Sequence, residues 1–113
     1  MLVSRLGAGE TSGYNFAVSG STSIELAEQA QRLVEAMRKD PWINFYKDWK
    51  MVTILIGHND ACTHVCNSTL GVKSFEDASP YAYAKNIKIA LDILQRNLPR
   101  SFVNLVPITG CIF

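Results

Sequence analysis

No stretch of this sequence approaches the ~18 consecutive apolar residues that a membrane-spanning helix needs. The most apolar segment, Phe102 to Ile108, is short and interrupted by Asn104 and Pro107. Met1 to Gly7 carries neither a basic opening nor an apolar run of useful length, so no secretory signal is read there. A basic stripe is missing too. Lys and Arg interleave with Asp and Glu, the formal net charge is +1, and nucleic acid is not expected as a partner. Cysteine is scarce. Cys62, Cys66 and Cys111 are too few for a disulfide framework, and an odd count leaves at least one thiol free or intermolecular. There is no internal repeat or low-complexity segment. No Gly-rich phosphate loop opens either predicted helix, which counts against a small flavodoxin-like binding module.

What is present reads as globular. The 113 residues, 48% of them apolar and 19% charged, make one domain at most. The first dozen residues are rich in Gly, Ser and Thr, show no period, and are expected to be loop. Asn15-Phe16-Ala17-Val18 is an apolar run that stops at Ser19-Gly20-Ser21, as a buried strand entering a tight turn would. Thr22-Ser23-Ile24-Glu25 fits a capping box, and Leu26, Ala30, Leu33, Val34 and Met37 then hold one face of a helix that Lys39-Asp40-Pro41 ends.

Trp42 to Trp49 is an aromatic connector. Its Trp42, Phe45, Tyr46 and Trp49 are read as core or edge cover, with a lipid-facing patch as the alternative. Met51 to Ile56 is continuously apolar, which predicts a parallel strand buried on both faces and running into Gly57-His58-Asn59-Asp60. Ser79-Pro80 predicts the start of a second helix with Tyr83, Ile87, Ala90, Leu91, Leu94 and Leu98 on its apolar stripe, ended by Pro99. Phe102 to Val106 is a third strand. The order strand–helix–strand–helix–strand predicts an α/β fold with a parallel sheet. Three strands are few for such a sheet, so the chain is expected to be part of a larger domain.

Ligands of open parallel sheets bind beyond the carboxyl ends of the strands. Two polar turns fall there, Ser19-Gly20-Ser21 and Gly57-His58-Asn59-Asp60. Glycine lets a substrate approach the main-chain N–H closely, and an Asn amide adds a neutral donor suited to a developing oxyanion. The residues alone favour the plain reading, a turn glycine and a loop with local side-chain caps, because turn residues are common at strand ends. Ser19 and Ser21 have no activating base in view and are read as turn or cap residues. His58, Cys62, His64 and Cys66 are zinc-type ligands in one short segment, but their spacing matches no familiar finger, and no metal is assigned. Asn67-Ser68-Thr69 is an N-glycosylation sequon, a hint of secretion.

Gly57-x-Asn59-Asp60 after an apolar strand resembles the third conserved block of the GDSL/SGNH hydrolases, and Asn15 to Gly20 resembles the second. Asp40-Pro41-Trp42-Ile43-Asn44-Phe45, Asp48-Trp49-Lys50, Met51 to Ile56, Asn86 to Leu94 and Pro99 to Leu105 are similar to the phospholipase B branch of that family. The resemblance covers about Tyr14 to Val106. It implies a three-layer, flavodoxin-like sandwich, here partial, spanning residues 1–113.

It also implies hydrolysis of acyl esters of phospholipids and lysophospholipids by a serine that a histidine–aspartate pair activates, with no cofactor. Gly20 and Asn59 take the places of the oxyanion donors, with Gly57 aiming Asn59. Cys62 and Cys66 take the place of a close cysteine pair, so a disulfide between them is implied, although three residues separate them where the family gap is shorter. A secreted or cell-surface parent is implied as well. Two departures bear on activity. There is no Gly-Asp-Ser, which carries the family's nucleophile, and no Asp-x-x-His after Asn59, which carries its base. Neither His58 nor His64 matches that base. The expectation is an inactive part of an ester hydrolase; the rival is a non-catalytic module that binds lipid or self-associates through exposed sheet edges.

Overall fold

The computed structural model describes residues 2–4, 14–60 and 80–108. Four strands form one sheet: β1 (Leu2–Ser4), β2 (Tyr14–Asn15), β3 (Lys50–Ile54) and β4 (Ser101–Leu105), in the order β2-β1-β3-β4. Among the described residues two long helices accompany them, α1 (Leu26–Lys39), entered through a 3-10 turn at Ser23–Glu25, and α2 (Pro80–Asn97).

Helix α1 forms where its capping and periodicity predict. At its entry the Thr22 N–H and hydroxyl both donate to Glu25 Oε2, at 2.9 and 2.8 Å. Leu26, Ala30, Leu33, Val34 and Met37 are all buried. Arg38 and Lys39 lie in the last turn, where cations suit the helix dipole. Asp40 is extended because the following Pro41 disfavours the helical conformation before it. Helix α2 buries Ile87, Ala90 and Leu94, and both helices share one core with Val52 and Ile54 of β3.

Three expectations about the sheet are corrected. The first dozen residues are not all loop, since Leu2–Ser4 pairs antiparallel with both β2 and β3. The strand expected at Asn15–Val18 leaves the ladder after Asn15, because the Ala17 N–H turns to Asn15 Oδ1 at 3.0 Å and bends the chain. The sheet is therefore mixed: among the described strands β3 and β4 are the one pair of neighbours that runs parallel, Val52 beside Val103. Finally, β3 is not buried on both faces among the described residues. Lys50, Val52 and Ile54 are buried under the helices, whereas Met51 and Thr53 on the opposite face are only half-buried. Phe102, in register with Met51, is 63% exposed.

Lys50 is buried at the start of β3, and its ammonium replaces lost water with three carbonyls: Phe45 O at 2.5 Å, Pro99 O at 2.7 Å and Asp48 O at 2.9 Å. It thereby joins the connector before β3 to the turn before β4. The aromatic connector divides. Phe45 is core, under Lys50 Nζ at 5.1 Å from its ring centre, while Trp42, Tyr46 and Trp49 are exposed.

Candidate active site

Strand β2 is antiparallel to β1, and β1 is antiparallel to β3, so β2 and β3 point the same way. Their carboxyl ends lie at one end of the sheet, and the turns that follow them meet there. Together they line a cavity of ≈ 240 Å³ whose walls are residues 17–21, Gln29 and residues 55–59.

The first turn closes with the Ser21 N–H donating to Val18 O at 3.1 Å, and Gly20 adopts φ +82°. A four-residue turn with positive φ at its third position asks for glycine there. Space does not: a Cβ on Gly20 would have no atom within 4 Å. No hydrogen bond engages the Gly20 N–H among the described residues. Ser19 is exposed. Ser21 is buried, with its hydroxyl 3.4 Å from Gln29 Nε2.

The second turn is fixed from below. Gly57 has φ +123°, and a Cβ there would meet the Tyr83 ring at 2.7 Å. The Tyr83 hydroxyl donates to Ile56 O at 2.9 Å. Burial, reinforced by the nearby Asp60 carboxylate, raises the Tyr83 pKa above its ordinary value, so it remains a donor well beyond neutral pH. Residues 58–60 turn into helix. Asn59 Nδ2 donates to Ser21 O at 2.9 Å, which uses one amide hydrogen; among the described residues no side chain or carbonyl takes the other. His58 is exposed at the cavity rim.

The structure thus brings together Gly20, Gly57 and Asn59. Cys62, His64, Cys66 and Asn67 lie outside the described residues, as does Cys111. Among the described residues, no three His, Cys, Asp or Glu side chains gather as metal ligands. Sequence reasoning gave no site role to Gln29, which walls the cavity, or to Tyr83, which it placed on an apolar stripe. Gln29 had a signal, being polar and three residues beyond Leu26 on an apolar stripe.

A model of the family described as GDSL-like lipase/acylhydrolase matches residues 2–113. The chain belongs to this family. Its α/β architecture is the family's. Among curated proteins, membrane-associated phospholipase B1 of Mus musculus is 47% identical over 92 residues, 81% of this chain and 6% of that protein. The Rattus norvegicus protein of the same name is 45% identical over 84% of this chain, and that of Homo sapiens 43% over 87%. Each match spans 6% of the relative's length. No solved structure matches the chain. No described helix of this GDSL-family chain is long and apolar enough to cross a membrane.

Proposed function

We propose that this chain is part of a serine ester hydrolase domain acting on acyl esters of phospholipids or lysophospholipids, and is itself inactive. The observation that carries the reading is the shared cavity of the Gly20 and Gly57–Asn59 turns at one end of the sheet. In acyl transfer, attack on the ester carbonyl places negative charge on its oxygen, and neutral N–H donors fixed beforehand lower that barrier. The Gly20 N–H and the second Asn59 amide hydrogen are the donors, while Ser21 O orients the amide through the first. A serine nucleophile and a histidine base complete the reaction, and no motif here supplies them. The names of the relatives support a phospholipid substrate and a membrane-associated parent.

Incubation of the purified chain with a short-chain nitrophenyl ester and with a lysophospholipid is expected to give no turnover above a denatured control. In a domain that carries the family's serine and histidine around these residues, Asn59→Ala is expected to lower kcat about 10²–10³-fold with little change in KM. Turnover by the isolated chain that a serine-directed phosphonate abolishes would overturn the inactivity. An Asn59→Ala variant with unchanged kcat would overturn the oxyanion assignment. A second reading, a non-catalytic module that self-associates, is favoured by one observation: among the described residues β4 ends the sheet, and Phe102 on it is exposed.

A further inference from the structure

Asp60 follows Asn59 directly but serves a different neighbour. Its Oδ2 accepts the Ser23 N–H at 2.8 Å and its Oδ1 lies 3.1 Å from the same N–H, while Oδ1 also accepts the Ser23 hydroxyl. Ser23 is 1% exposed. The Ser23 Oγ in turn accepts Asn86 Nδ2 at 3.1 Å, so a directed chain of bonds runs from α2 through the entry of α1 to the turn after β3. Such chains strengthen their members and make a deletion costly here, because Ser23 at the centre is buried and Asp60 and Asn86 are partly so.

These bonds have a geometric consequence. Asn59 is bonded to Ser21 O and Asp60 to Ser23, so two consecutive residues of one turn are strapped to two points of the other. One strap would set a distance. Two set an orientation. A carboxylate suits the second strap because it only accepts, and Ser23 presents two donors, N–H and O–H. An Asn in its place has one accepting oxygen, and an Ala has none.

We infer that Asp60 is a positioning residue: through Ser23, itself held by Asn86, it fixes the plane of the Asn59 amide beside the Gly20 turn. The inference rests on the oxyanion reading for its meaning in catalysis. The geometry it asserts is tested without turnover, by following the Asn59 side-chain amide in nitrogen–proton correlation spectra of this chain. In the unsubstituted chain that amide is expected to give two separated proton signals, the one bonded to Ser21 O exchanging the more slowly with solvent. Asp60→Ala and Ser23→Ala are expected to draw the two signals together and to speed their exchange about tenfold, the change that ~1.4 kcal/mol of lost protection produces. Asp60→Asn falls between.

Leu94→Ala, which hollows the core under α2, is the control for general destabilisation. It lowers Tm and leaves the Asn59 signals in place. A purely structural cap at Asp60 would behave like Leu94→Ala, and unmoved Asn59 signals in Asp60→Ala would overturn the inference. If Asp60→Ala does not fold, Asp60→Asn and Asn86→Ala carry the test: a shift in the same direction supports it and none overturns it. Loss of the oxyanion reading registers separately, as an Asn59→Ala variant with undiminished hydrolysis in the domain bearing serine and histidine.

Discussion

A methyl group on Gly57 would lie 2.7 Å from Tyr83 Cε2, 2.9 Å from its hydroxyl and 3.0 Å from Ile108 Cγ2. A methyl group on Gly20 would meet nothing within 4 Å. Both glycines hold positive φ, so each alanine variant incurs backbone strain of about 1–2 kcal/mol, but only at Gly57 does a steric clash add to it. Gly57→Ala is therefore expected to cost at least about 2 kcal/mol more than Gly20→Ala in urea unfolding, and to disturb the Tyr83–Ile56 bond. Equal losses for the two variants would show that Tyr83 yields easily. The sequence marks both residues alike, as turn glycines at strand ends. Their difference depends on Tyr83, 26 residues further on, and no local pattern reports a contact of that range.

At the scale of elements, legibility follows periodicity. Helix α1 was readable because its buried positions repeat at helical spacing and its entry carries a box that needs only four residues. That box titrates. Burial pushes the Glu25 pKa up, but the Thr22 hydroxyl and N–H pull it down further, and the net value lies below the ordinary 4.5. A depressed carboxylate contributes stability in full above its unfolded value and loses it as pH falls through its folded value. The helix entry should therefore weaken as pH drops below about 4.5. The stability gap between the parent chain and Glu25→Gln should close over that window, remaining under about 1 kcal/mol because the carboxylate is exposed. A gap independent of pH between 6 and 3, followed by circular dichroism, would argue against the box.

Strand β1 carries no comparable signal, since three residues cannot display a period. Its antiparallel pairing depends on the edges that β2 and β3 offer. The run Met51 to Ile56 fixed the identity of β3 but misled about its faces. Continuous apolarity states what a strand tolerates, and which faces are covered depends on the layers present.

For the whole molecule, that uncovered surface becomes the governing fact. The helices cover the side of the sheet bearing Val52 and Ile54, and Phe102 stands 63% exposed on the other. Among the described residues, strand β4 ends the sheet. The Val106 N–H donates inward to Ile54 O at 2.9 Å, so by the alternation of a parallel ladder the N–H groups of Val103 and Leu105 point outward from the edge. Unpaired strand groups beside an exposed aromatic side chain template pairing with another chain. A domain of this size also buries only about two-thirds of its unfolded surface, leaving little stability in reserve. We therefore expect the isolated chain to be oligomeric in size-exclusion chromatography with light scattering. Phe102→Lys, which places a charge beside that edge and removes the apolar contact, is expected to shift the population toward monomer. The substitution costs the monomer little, since the residue is mostly exposed. A sharp monomeric peak for the parent chain, with a cooperative thermal transition, would instead establish that two helices suffice to stabilise this sheet.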